Sequence, residues 1–166
     1  MKTQTQTAVS ARRDRLLREH IHDPYKARSK LPEPTLCPVC KAVYLNGRWQ
    51  WMDWPPEHCH QRVCQACTRI RDACPAGEIL IRGAFAIQHK GEILRLADNQ
   101  ENQEKVEHPL HRIMNVHERA GTIRIETTDI HLPRRIGEAL RRAHKGDLAI
   151  NYENEGCFVR VSWTRN

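Results

Sequence analysis

The chain has 166 residues, 39% of them apolar and 28% charged, with a formal net charge of +7 and seven cysteines. That length holds one ordinary domain, or two small ones with a tail. No run of eighteen apolar residues spans a membrane, and the polar opening, Met1 to Ser10, has no signal-peptide core.

In chain order, residues 1–30 form a basic arm expected to be flexible. They hold eight Lys or Arg against three acids, a net +5, whereas the other 136 residues hold 19 against 17, a net +2. Arg12, Arg13, Arg15 and Arg18 lie in this arm on a segment with few large apolar side chains, so any helix there is marginal until a partner orders it. Leu31-Pro32-Glu33-Pro34 is a stiff, extended lead-in.

Residues 31–77 read as a four-cysteine zinc ribbon. Cys37-Pro38-Val39-Cys40 and Cys64-Gln65-Ala66-Cys67 lie 23 residues apart. Two residues between cysteines let both sulfurs face one ion, and two such loops complete a tetrahedral shell of thiolates. Between them, Val43-Tyr44-Leu45 and Arg48-Trp49-Gln50-Trp51 flank Asn46-Gly47, which suits the positive φ angles of a type I′ hairpin. A closed shell leaves no position for water, so the ion would be structural and the chain not an enzyme. His58, Cys59 and His60 lie close before the second pair and stay open as alternative ligands. Paired cysteines of this kind fit a reducing, cytoplasmic setting, with Cys74 and Cys157 read as small buried residues.

Residues 78–109 read as a connector. Glu78 to Ile81 is a strand ended by Gly83, and Ala84 to Glu107 is helical, with Gly91 a candidate break and a solvated extension beyond Asp98. Residues 110–166 read as a small ββαββ domain, an antiparallel sheet with a packed helix, so the fold class is α+β. The strands are Arg112 to Glu118, Thr122 to Thr127, then stretches around Leu148 to Tyr152 and Val159 to Trp163. The helix, Pro133 to Lys145, is capped by Asp129 or a neighbouring Thr and stopped by Gly146. Ile136, Ala139, Leu140 and Ala143 share its core stripe. At about 100° per residue, Arg134, Arg141, Arg142 and Lys145 cluster opposite, with Arg135 at the margin. An arginine surface on a rigid helix can track phosphates. Arg69 and Arg71, after the second cysteine pair, join this set of expected nucleic-acid contacts. The plainer reading is an ordinary solvated helix face. Likewise Trp49 and Trp51 share a strand face that either stacks bases or fills the ribbon's small core.

Several stretches resemble bacterial proteins related to the zinc-binding N-terminal region of the large-subunit ribosomal export adaptor family. They are Cys37 to Cys40 with Gly47-Arg48-Trp49, Cys64 to Asp72, Pro75-Ala76-Gly77, His108 to Ile113, and Thr127 to Leu132 with Arg134-Arg135-Ile136-Gly137. Pro133 departs from the pattern and would shift the helix start. The resemblance implies Zn²⁺ at Cys37, Cys40, Cys64 and Cys67, with the ribosome or its RNA as partner and the large subunit favoured. The nuclear-export role is not carried over. The expected function is a ribosome-associated factor in assembly, quality control or translational dormancy (hibernation), with no small-molecule substrate. The competing expectations are a DNA-associated zinc-ribbon protein and, below it, a metalloenzyme using Glu57, His58, His60 or His131. For the last, the sequence has no spaced His-Glu-His motif.

Overall fold

The computed structural model describes residues 23–153 and 156–166. The arm arginines Arg12, Arg13, Arg15 and Arg18 lie outside the described residues. Two sheets organise the rest.

The first sheet carries the cysteine loops. It comprises β1 (Thr35–Leu36), β2 (Val43–Leu45), β3 (Arg48–Gln50) and β4 (His60–Gln61), in the order β3-β2-β1-β4. Asn46 (φ 54) and Gly47 (φ 76) make the expected turn between β2 and β3. Glu33 secures that turn, its carboxylate accepting from Asn46 N at 2.8 Å and Gly47 N at 3.1 Å. A short helix not expected from the sequence, α1 (Gln65–Arg71), grows directly out of the second cysteine pair. The beginning of the arm's described part is not loose. Asp23 is nearly buried against α1, where both its oxygens accept from Arg69 Nη2 at 2.8 Å, and the Tyr25 ring covers the same guanidinium at 4.2 Å.

The second sheet runs β6 (Ile113–Arg119), β7 (Thr122–Thr127), β5 (Gly77–Arg82), β9 (Phe158–Thr164), β8 (Asp147–Glu153). It differs from the small antiparallel unit expected from the sequence. The strand assigned to the connector, β5, is the central one, antiparallel to β7 and parallel to β9. The register explains why. Ile79 faces Ile125 on one side and Val161 on the other, and Ile81 faces Ile123 and Trp163. These rows of fully buried side chains exist only with β5 in the middle, and each buried residue contributes about 1.5–3 kcal/mol. The alternate residue, Glu78, points to the opposite face, where Arg124 and Arg160 pair with its buried carboxylate.

Helix α4 (His131–His144) covers the core rows with Leu132, Ile136 and Leu140. It starts two residues ahead of Pro133, which a first helical turn tolerates because its amide would have no intrahelical partner. Ala143, expected in the core stripe, is exposed near the helix end, since the stripe there has run past the sheet. The long connector helix divides into α2 (Ala84–Gln88) and α3 (Lys90–Glu107) at His89, not Gly91. The second half of α3 is anchored by polar groups: Glu101 accepts from Ile113 N, and buried Glu104 pairs with Arg135 and His111.

Gly137 shows how closely α4 sits on the sheet. A Cβ there would stand 2.7 Å from Leu148 Cδ1 and 2.8 Å from Val161 Cγ1. Gly137→Val should therefore destabilise the domain by about 1–3 kcal/mol through overpacking, read as a shifted midpoint in urea. An unchanged midpoint would mean that α4 can lift without loss. Cys74, read as buried, is exposed.

Candidate metal centre and nucleic-acid face

The four cysteines of the paired loops converge. One sulfur from each of Cys37, Cys40, Cys64 and Cys67 lies within 4.8 Å of all the others, the only such group of potential metal ligands among the described residues. Cys37 Sγ is 4.0 Å from Cys67 Sγ, and Cys40 Sγ is 3.7 Å from Cys64 Sγ. A tetrahedron with bonds of about 2.3 Å has edges of about 3.8 Å, so the spacing suits a metal ion bound by four thiolates. His58, Cys59 and His60 do not join them.

The backbone holds this shell in place. Cys37 and Ala42 close the first loop with a 2.8 Å bond, and Lys41 adopts a left-handed conformation (φ 68) to make it. Cys64 caps α1, its sulfur accepting from Cys67 N at 3.5 Å, while Cys37 Sγ accepts from Cys64 N at 3.4 Å. Each N–H directed at sulfur favours the thiolate. As free thiols the four are unequal. A hydrogen bond from Cys64 pulls Cys40 down to about 4, and the same bond, followed by burial, pushes Cys64 up.

Arg112, just before β6, was not singled out from the sequence, yet it reaches the centre. Its Nη1 and Nη2 donate to Cys67 Sγ and Cys64 Sγ, both at 3.5 Å. Its Nε is fixed by Pro109 O at 2.7 Å. Burial alone would lower the guanidinium's pKa, but the contact with Cys67 and the nearby charge of Cys40 raise it. Four thiolates around a divalent ion leave a charge of −2, and this cation offsets part of it. Only tertiary packing brings Arg112, 45 residues beyond Cys67, to the sulfurs.

The expected nucleic-acid contacts separate into two groups. Arg69 is turned inward, only 5% exposed and held by Asp23 and by the carbonyl of Cys74, so it presents no charge to the surface. Arg71 is exposed but paired with Asp72 at 2.8 Å. On α4, Arg134 pairs with Glu138 and Arg135 with Glu104. Arg141, Arg142 and Lys145 are exposed. Among the described residues, Arg141 and Arg142 have no ion-pair partner. The backbone under Lys145 is fixed, with its N–H bonded to Arg141 O and its carbonyl accepting from Trp163 Nε1 at 2.8 Å. Trp49 is half-buried beside the cysteines, whereas Trp51 donates to Lys105 O at 2.6 Å and Trp54 is 89% exposed.

A cavity of about 430 Å³ opens between the ribbon and the beginning of α4. Arg48 and Trp49 line it from the ribbon, and His108, His111, Asp129 and His131 from the other side. Asp129 Oδ2 caps α4, accepting from His131 N at 2.6 Å and Leu132 N at 3.0 Å, as the sequence led us to expect. Its other oxygen, Oδ1, is buried without a hydrogen-bond partner among the described residues. Such an orphan costs about 1–3 kcal/mol.

No protein-family model, curated protein or solved structure matches the chain. What the geometry itself defines is a mixed α and β protein with two sheets and a four-cysteine centre able to hold a metal ion. No described helix is long and apolar enough to cross a membrane.

Proposed function

We propose that the protein is a zinc-stabilised binding factor that docks on ribosomal RNA, with the large subunit favoured, and serves ribosome assembly, quality control or translational dormancy. The observation that carries this reading is the basic outer face of α4, where Arg141 and Arg142 project from a helix whose other side is locked in the core, with Lys145 just past its C-terminal end rather than within it as the sequence suggested. Charges on a fixed helix keep a constant spacing, so they can match a phosphate array at little cost in ordering. Zinc is the ion we assign, because four thiolates at tetrahedral spacing suit it and leave no open position for catalysis. Its role is to hold a ribbon whose own core is small: the cysteines, Ala66 and a few half-buried neighbours. The test is co-sedimentation with ribosomes at rising salt, since counterion release makes phosphate binding fall steeply with ionic strength. Failure to sediment at low salt, with sequence-preferring binding to DNA, would replace this reading by a DNA-associated one.

Arg112 provides a check on the metal assignment. Arg112→Met retains most of the side chain's bulk and removes its charge and donors. Outer partners of metal ligands are typically worth about 10–100-fold in metal affinity. Zinc should pass from the variant to a competing chelator faster by a factor in that range, while the far-ultraviolet spectrum stays that of the parent. Equal transfer rates would show that the guanidinium does not support the centre.

A further inference from the structure

We propose that the cavity between the ribbon and α4 takes one unpaired guanine base of the bound RNA, an inference that rests on the RNA-binding reading above. The volume, about 430 Å³, is within the range of small-molecule sites. Its walls are suited to a planar, electron-rich ring. The rings of His108 and His111 stack with centroids 4.7 Å apart, and His131 follows 5.5 Å from His111, so three imidazoles form a row. Trp49 contributes an indole from the ribbon side. Unpaired bases stack on side chains of this kind and are then read along their Watson–Crick edges.

The edge reader is Asp129. Its side chain is 10% exposed, and Oδ1 has no donor. A carboxylate selects by repulsion as much as by attraction. Adenine and cytosine present one amino group beside a ring nitrogen acceptor, and uracil presents one N–H between two carbonyls. Guanine alone offers two adjacent donors, N1–H and the 2-amino group, with no acceptor between them. Oδ1 is sealed from water in the free chain and Asp129 lines the cavity, so a base reaches this oxygen when a side chain of the lining turns aside.

The position agrees with the phosphate face. At about 100° per residue, His131 lies within the same outward sector as Arg134, Arg141 and Arg142. Arg142 follows about 16 Å farther along the axis. A strand that leaves its base in the cavity would therefore run on over the arginines.

The zinc-loaded full chain, titrated with GMP, IMP, AMP, CMP and UMP, decides the matter, with the Trp49 indole and His131 ring followed by NMR. GMP should bind about tenfold tighter than the others, IMP included because it lacks only the 2-amino donor. Asp129→Asn keeps an oxygen for the helix cap but places an N–H₂ where Oδ1 stood, so that preference should vanish while the fold persists. Equal binding of all five nucleotides by the parent overturns the proposal, whatever the variant does. So does an undiminished preference for GMP in a folded Asp129→Asn. If GMP selection holds but no ribosome sedimentation is found, the cavity assignment survives and the ribosomal reading falls. If sedimentation is strong and GMP leaves Trp49 and His131 unmoved, the cavity assignment falls alone.

Discussion

Cys64→Ser should lose the metal and unfold the ribbon, residues 31–76, while the five-stranded sheet stays folded. Cys64 has several roles at once. It belongs to the four-cysteine group that could hold a metal ion, its sulfur caps α1, it accepts from Arg112, and it is 1% exposed. Serine's hydroxyl oxygen can take over the cap from the sulfur but is a poor ligand for a soft, closed shell. Structural zinc sites contribute on the order of 10–16 kcal/mol, more than a domain of this size has to spare. The ribbon's buried cluster cannot replace that energy, because it consists mainly of the cysteines and Ala66. The sheet has its own core in Ile79, Ile125, Ile136, Val161 and Trp163, a cluster separate from that of the cysteines. Hydrogen exchange should show β1 to β4 and α1 open at near-random-coil rates while β5, β7 and β9 stay protected. Metal analysis should fall from one ion per parent chain to none. Retained metal with a protected ribbon would sink the four-cysteine assignment, and loss of protection in β5 would show that the two sheets fold as one unit.

Reversing the charge at Arg141 and Arg142 together should abolish ribosome co-sedimentation with little effect on stability. Both side chains are exposed and stand away from the Ile136 and Leu140 stripe, so the change in folding free energy should be confined to the charge effect at the helix C-terminus, about 0.3–1 kcal/mol per residue. Arg141→Glu with Arg142→Glu removes two phosphate contacts and adds two repulsions. The slope of log affinity against log salt should therefore flatten by about 2. Arg134 and Arg135 make weaker targets, since Glu138 and Glu104 already occupy them. Thermal denaturation and sedimentation on the same preparation separate the two effects. If the double variant binds ribosomes as tightly as the parent, this helix face is merely solvated and the binding surface lies elsewhere.

Local signals in the sequence were strong where a single short segment carries its own geometry. The doubled two-residue spacing brought four sulfurs together, Asn46-Gly47 made the hairpin turn, and alternation located β7 to its observed ends. Asp129 was legible as a cap because the capping bond spans only two or three residues. Most of α3 beyond Asp98 is exposed as expected, but two residues depart from that for the opposite reason. Glu101 and Glu104 look like surface residues until their partners arrive from β6 and α4.

By itself, then, the order of residues determined the cysteine pairs that cluster, the hairpin, the amphipathic helix and the sign of its outer face, all features written in short local spacings. Tertiary structure alone decided the rest. It placed β5 at the centre of the sheet, because only there do Ile79 and Ile81 gain apolar neighbours on both sides. It turned Arg69 inward to Asp23, 46 residues away, and so removed it from the surface. It also carried Arg112 to the sulfurs and assembled the imidazole row beside Asp129. Those contacts pair charges and rings across distant parts of the chain, and no local period encodes which cation will find which anion once the core has closed.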